Sequence, residues 1–341
     1  FMRQRRSAYD NTPRCVMAKN INMAGFSMSS TSISTLTVAL LIVGVVSSTV
    51  SASKKSNIVF LLTDDQDTRL GSFIAMPKTM EYVGVQGANL SNFFIHTPIC
   101  CPSRTTLLSG RYVHNNRVNA NNLPGCMRMN TTKEENPDFW TNSFIKRLHD
   151  QHGYTTGLFG KVLNVMDSYG CKAPDQQLPA GVDRLMIMCT IGYTNSTWSD
   201  FCNNTAISPN MVHKLPGYTT SIVGNESLAW IKSVVEQGPD HPPFFAYMGP
   251  HAPHLPSTPA PWYKDHPIGN TPLPKEVYYN YSGVGKHSFG KDASLAEQQP
   301  MINMDDQLLI ETEHGNRLKT LLSVDDIIAA VHDYLVSVDE W

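Results

Sequence analysis

Neither sign of charge is in excess in this chain: 27 lysines and arginines stand against 29 aspartates and glutamates, a formal net charge of −2 over 341 residues. That removes any whole-chain electrostatic case for nucleic acid, which is gripped by an excess of basic groups. Long apolar runs are lacking too. The most apolar one, TLTVALLIVGVVSSTV at residues 35–50, is too short to span a bilayer comfortably and ends in serines. No internal repeat is evident. Charged residues make up 16% and hydrophobic ones 41%, which fits a globular chain rather than a disordered one, and one large domain is the simplest reading.

The run at 35–50 is followed by Val50-Ser51-Ala52, the small-residue spacing of a signal-peptidase site. Residues 1–52 are therefore read as leader and signal peptide, with Met17, Met23 and Met28 as plausible starts and no stable membrane insertion after cleavage. A membrane anchor is the competing reading. Six Asn-x-Ser/Thr sequons follow, at Asn89, Asn130, Asn195, Asn203, Asn225 and Asn280, and they matter only in the secretory pathway. Seven cysteines agree with an oxidising compartment, and the adjacent Cys100 and Cys101 are poor candidates for pairing with each other. Connectivity does not follow from the sequence.

Short apolar runs alternate with helical patterns from residue 53 onward, the signature of an α/β fold with a largely parallel sheet. Residues 57–63, NIVFLLT, read as a buried central strand. Further strands are expected at 154–159 and 244–248, and helices at 78–86, 142–152 and 221–237, the last three closed by Gly87, Gly153 and Gly238. Residues 253–299, rich in Pro, Gly and Tyr, read as a long surface excursion. A final helix is expected to begin at Ser323 with Asp326 completing a capping box.

In open α/β sheets ligands bind beyond the carboxyl ends of the strands, so the residues that follow each strand matter most. After the first comes Asp64-Asp65-Gln66-Asp67, a cluster of hard oxygen donors that points to Ca²⁺ or Mg²⁺ or, equally, to an acidic turn. After the second comes Gly160-Lys161, a lysine able to neutralise an anion, or simply a surface lysine. After the third, His251 and His254 sit in a proline-restricted loop, where they could serve as general acid or anion ligand, bind a transition metal, or do nothing. The sharpest signal is Cys100-Cys101-Pro102-Ser103-Arg104. Pro102 suits a first helical turn, which puts Cys100 at an anion-favouring helix N-terminus, with Arg104 as a bidentate donor for a tetrahedral oxyanion. Those residues suggest a cysteine nucleophile with a phosphate or sulfate ligand, or a structural disulfide.

This segment, running on to Ser109-Gly110-Arg111, resembles the sulfatase signature, and residues 153–161 resemble that family's second motif, which ends in Gly-Lys. The doubled cysteine, Gly160-Lys161-Val162-Leu163-Asn164 and the segment from Arg317 to Asp326 look like the N-acetylglucosamine-6-sulfatases and their relatives the heparan endosulfatases. Arylsulfatases usually carry a histidine where Leu163 stands. The resemblance implies an alkaline phosphatase-like domain, a large, mostly parallel sheet flanked by helices, of which residues 53–341 are the N-terminal part. It implies that a dedicated enzyme of the endoplasmic reticulum oxidises Cys100 to formylglycine, and that this group, Asp64 and Asp65 bind Ca²⁺. The hydrated aldehyde would attack sulfur and then eject sulfate by reforming the aldehyde. Arg104 would stabilise the site, Lys161 and His254 would bind sulfate or protonate the leaving oxygen, and His114 or His251 would assist. The substrate implied is 6-sulfated N-acetylglucosamine in heparan or keratan sulfate, handled in the lysosome or outside the cell. An endosulfatase, an arylsulfatase, a phosphoryl-transfer enzyme of the same superfamily and a non-catalytic secreted glycan-binding protein are the alternatives. The family's further Asp-Asn calcium ligands and second lysine are not found here, so the chain is expected to be truncated, and inactive or poorly folded by itself.

Overall fold

The computed structural model describes residues 54–122, 125–126, 139–164, 171, 178–202, 205–206, 212–275 and 303–341. The leader and signal read at residues 1–52 and the sequons at Asn130, Asn203 and Asn280 lie outside them. Seven strands form one mixed sheet: β1 (Ile58–Leu61), β2 (Thr155–Gly160), β3 (Arg184–Met188), β4 (Thr197–Cys202), β5 (Thr205–Ala206), β6 (Val212–Lys214) and β7 (Phe244–Gly249). Their order is β1-β7-β2-β3-β4-β5, with β6 paired to β4. The first four in that order are mutually parallel, so their carboxyl ends open on one side; β4 runs antiparallel to β3.

Helices flank the sheet, among them α1 (Cys100–Ser109), α2 (Val113–Asn116), α3 (Phe144–His152), α4 (Thr219–Val235) and α5 (Met304–Ser337), and the helix expected at 78–86 is found as a helical segment over Pro77–Thr79 and Met80–Val85. Strand periodicity sorts the core into two faces. Along β7, Phe245 and Tyr247 pack with Leu108 of α1 and Ile145 of α3, whereas Phe244, Ala246 and Met248 pack with Trp230 and Ile231 of α4 and Ile327 and Val331 of α5. Both faces being covered explains why β7 is apolar without alternation. The helix expected at 142–152 starts at Phe144, where Ser143 caps it by accepting from the Lys146 amide, and it ends as expected at Gly153, which lies in the left-handed region.

Two expectations need correction. The run at 57–63 is not a central strand: among the described residues β1 has β7 on one side only, and its four residues are half-buried. Val59 and Leu61 border an open groove of about 520 Å³ shared with Ile328, Val331 and Leu335. An apolar run of strand length does not distinguish a strand with one neighbour from a strand with two. Nor does a helix begin at Ser323. That residue is buried in mid-helix; the cap is Asn303, which accepts from the Asp306 amide at 2.8 Å, and Asp326 receives the Tyr263 hydroxyl instead. The described start of the 253–299 tract runs over the surface as expected, most of residues 255–275 being exposed, while Ser257 and Ala260 are buried beneath it and the turn Pro267–Asn270 lies against α5. Residues 276–299 lie outside the description.

Two disulfides are described, Cys101–Cys126 and Cys171–Cys189, and Cys100 is free. The first closes a loop of sequence separation 25. Cys126→Ser is expected to destabilise the fold by about 3 kcal/mol, read as a shift in urea midpoint between the oxidised parent and the variant.

Candidate active site

The carboxyl ends of β1, β2 and β7 and the N-terminus of α1 converge on Asp64. This carboxylate is buried and accepts from three donors: the Arg104 guanidinium on Oδ1 at 3.1 Å, and Lys161 Nζ at 2.5 Å and His251 Nδ1 at 3.2 Å on Oδ2. Burial alone would push its pKa up. The His251 hydrogen bond and the charges of Arg104 and Lys161 more than offset that, and the carboxyl is held well below its usual range. Reciprocally, Lys161 is 1% exposed, a burial that an ammonium tolerates only with a partner of this kind.

Arg104 is fixed on three sides. Besides Asp64, its Nη1 donates to the Lys161 carbonyl at 2.6 Å and to the Tyr247 hydroxyl at 2.8 Å. The strand ends reach this close because Gly160 and Gly249 have no side chains: a Cβ on Gly160 would lie 2.2 Å from the Gly249 carbonyl oxygen, and Gly160 also has φ +87°.

Cys100 is the first residue of α1, whose preceding Ile99 is extended and offers no side-chain cap. The Cys101 amide is taken by Asn121 Oδ1 at 2.8 Å. Helix dipole and open N–H groups thus favour an anion beside the Cys100 side chain. Ligand atoms of Cys100, Asp64 and His254 all lie within 4.8 Å of one another, so these three residues could hold a metal ion. Asp65 adds a carboxylate oxygen 3.5 Å from His254 Nε2. As they stand, sulfur and imidazole suit a transition ion; with an oxygen group in place of the Cys100 thiol, that group, Asp64 and Asp65 would be the hard oxygen donors that Ca²⁺ prefers, with His254 outside its ligands.

His254 is stacked on His251 at 4.7 Å between centroids, and the His251 ring lies tilted against Tyr193 at 4.9 Å. Tyr193 also donates its hydroxyl to the His254 carbonyl at 2.6 Å. The two histidines are tuned apart. The Cys100 hydrogen bond raises His254 to about 8, while burial lowers His251 despite its contact with Asp64. An acidic imidazole and a neutral one therefore stand side by side near pH 7. Beside them opens a pocket of about 390 Å³, lined by Ile191, Tyr193, Thr194, Leu255 and Pro256 as well as the histidines.

Asp64, Asp65, Cys100, Arg104, Lys161, His251 and His254 are thus brought together. His114 stands apart, exposed on α2 with its ring against Tyr112 at 5.8 Å. Tyr247 and Tyr193 went unnoticed in the sequence: the first reads as one more strand residue, and the second lies in a segment without clear periodicity.

The sulfatase family model matches residues 56–341. This chain belongs to the sulfatase family. It is 33% identical over 287 residues to the human N-acetylglucosamine-6-sulfatase, covering 82% of this chain and 48% of that protein. An extracellular sulfatase from Drosophila melanogaster is 30% identical over 291 residues, covering 84% of this chain and 24% of the relative. The sulfatase chain therefore spans about half the length of the human relative, or less in the fly protein. Among solved structures, a protein in complex with its substrate D-glucosamine-2-N,6-O-disulfate superposes with a TM-score of 0.58 at 19% identity, over 84% of this chain and 63% of that one; it shares the fold. Among the described residues, no helix is long and apolar enough to cross a membrane.

Proposed function

We propose that a protein carrying this domain hydrolyses the 6-sulfate ester of N-acetylglucosamine in glycosaminoglycans such as heparan or keratan sulfate. The observation that carries the reading is the placement of Cys100 at a helix N-terminus, within ligand distance of Asp64 and His254 and beside the buried cations Arg104 and Lys161. The 33% identity to the human N-acetylglucosamine-6-sulfatase directs the choice of sugar.

In this reading Cys100 is converted to formylglycine by the formylglycine-generating enzyme of the secretory pathway, which residues 1–52 would direct the chain into, and the destination is the lysosome or the extracellular space. Asp64 and Asp65, with the oxygen group at Cys100, are the residues that would hold Ca²⁺. When bound, these groups supply an oxygen nucleophile for sulfur and a positive charge for the sulfate oxygens. The side chains contribute the rest. Arg104, fixed by Asp64, Tyr247 and a carbonyl, presents its charge without reorganising. Lys161 lies on the same carboxylate and can turn to a sulfate oxygen. His254 is placed to hand a proton to the departing sugar oxygen, and His251 stacks against its ring. The sugar would occupy the 390 Å³ pocket beside it. His114 has no part in this arrangement.

Two measurements test the proposal: peptide mass spectrometry at Cys100 after expression in a secretory host, and release of sulfate from 6-sulfated N-acetylglucosamine. Conversion of thiol to aldehyde with sulfate release is the expected pair of results. An unmodified Cys100 would turn the reading toward a non-catalytic glycan-binding protein. The Drosophila relative, named as an extracellular sulfatase, favours a second reading, an endosulfatase; release from internal sugars of heparan sulfate, and not from terminal ones, would select it.

The raised pKa of His254 has its own check. Its largest cause is the hydrogen bond with Cys100, so NMR titration of Cys100→Ala should bring the imidazole down from about 8 toward its ordinary range. An unchanged titration would show that Cys100 is not what holds that proton.

A further inference from the structure

The segment from Arg317 to Asp326 has no place in the chemistry above, yet it contacts the loop that would hold the cation. It lies in the middle of α5. Arg317 Nη2 donates to the backbone carbonyl of Asp65 at 2.6 Å and to Asp67 Oδ2 at 2.9 Å. We propose that Arg317 is a positioning residue that fixes the acidic loop so that Asp64 and Asp65 face Cys100, and that it thereby sets the cation affinity of the site. This rests on the reading that Asp64 and Asp65 hold a cation.

Asp65 has φ +62°, the left-handed region, which is strained for a non-glycine residue and persists only where the surroundings enforce it. The carbonyl that Arg317 grips belongs to this residue. The loop is pinned at both ends as well. The Asp64 amide donates to the Ala252 carbonyl at 3.1 Å, tying it to the histidine loop, and Asp67 Oδ1 accepts the Leu70 amide at 2.6 Å. Arg317 spans the middle, with one nitrogen on a carbonyl and a carboxylate two residues apart.

The helix that presents it is itself anchored. Asp325 accepts from the Lys78 and Thr79 amides and the Thr79 hydroxyl, and Asp326 from the Tyr263 hydroxyl. With Lys319 donating to the Lys264 carbonyl at 3.0 Å, four polar side chains of one ten-residue stretch thus tie α5 to the acidic loop, to the helical turn Pro77–Thr79 and to the segment around Tyr263. A solvated ion pair with Asp67 alone would contribute little; the bond to the strained residue's carbonyl is what gives the contact its consequence. Without it Asp65 is free to relax to negative φ, swinging its carboxylate away from His254.

The test uses the full chain and its Arg317→Gln and Arg317→Lys variants. Hydrogen–deuterium exchange without metal reads the loop, and calorimetric titration with Ca²⁺ reads the site. Arg317→Gln is expected to exchange about tenfold faster across residues 64–70 with β2 and β7 unchanged, and to bind Ca²⁺ about tenfold more weakly, with Arg317→Lys intermediate in both. Unchanged exchange across 64–70 overturns the positioning role. Faster exchange with unaltered Ca²⁺ affinity also overturns it, because Arg317 would then be structural only. If the unaltered chain binds no Ca²⁺, the calcium assignment falls by itself, and the exchange result still decides whether Arg317 holds the loop.

Discussion

In a protein that carries this domain and turns over sulfate esters, replacing Cys100 with alanine is expected to lower that turnover by at least about 10⁴-fold while leaving the thermal midpoint close to that of the parent. The two halves of that expectation have different sources. Cys100 is half-buried, free of any disulfide and at the first position of α1, so its loss opens no cavity and breaks no crosslink. It is also the one described group that combines nucleophilic potential with a helix N-terminus and two neighbouring cations. Cys100→Ser sharpens the test. A serine oxygen can attack sulfur, but it has no second hydroxyl with which to expel the sulfate, so at most one equivalent of sugar alcohol should be released and the enzyme should remain sulfated. Multiple turnovers by either variant, with initial rates above about one hundredth of the parent's, would remove Cys100 from the chemistry.

Asp64→Asn is expected to do the opposite, damaging the fold as well as the activity. The parent carboxylate is the shared partner of Arg104 and Lys161, both almost completely buried. Neutralising it leaves two buried cations without a counter-charge, a change that costs about 3–5 kcal/mol where it has been measured in other proteins. Chemical denaturation of parent and variant would read the difference directly, and a loss below about 1 kcal/mol would show that solvent or rearrangement compensates. The pH dependence adds a signature. A depressed carboxyl pKa contributes stability that is fully present above the unfolded value near 4 and is lost only as pH falls through the lower native value. The gap between parent and Asp64→Asn should therefore stay constant from pH 7 down to about 5 and close only in strong acid.

Much of this site is legible in the sequence because of where its residues sit in the chain. Asp64, Lys161 and His251 each follow an apolar run of strand length, and parallel strands place whatever follows them on one edge. Cys100 announces its helix through Pro102. Residues whose role depends on a contact across the fold are harder to read. Tyr247 alternates with Phe245 as any inward-facing residue of a strand would, and only the arrival of Arg104 from 143 positions away turns its hydroxyl to use. Arg317 resembles any helix-surface arginine until α5 crosses the loop after β1. The misreading of Ser323 has the same origin. Asp325 and Asp326 look like the carboxylates of a helix start, but their partners are the Thr79 amide and the Tyr263 hydroxyl, groups that no local pattern connects to them. The edge position of β1 among the described residues went unseen because an apolar run of strand length reads the same whether a helix or a second strand lies beside it.

The vicinal pair Cys100–Cys101 sets a competition during oxidation. Cys126 must choose between two thiols one residue apart, and only capture of Cys101 gives the observed crosslink. Capture of Cys100 would yield a mispaired isomer of identical mass with its nucleophile sealed in a disulfide. Early removal of the Cys100 sulfur would end that competition, so the fraction of correctly crosslinked chains should rise with the extent of modification. Non-reducing peptide maps of material made with and without the modifying enzyme would measure this partition.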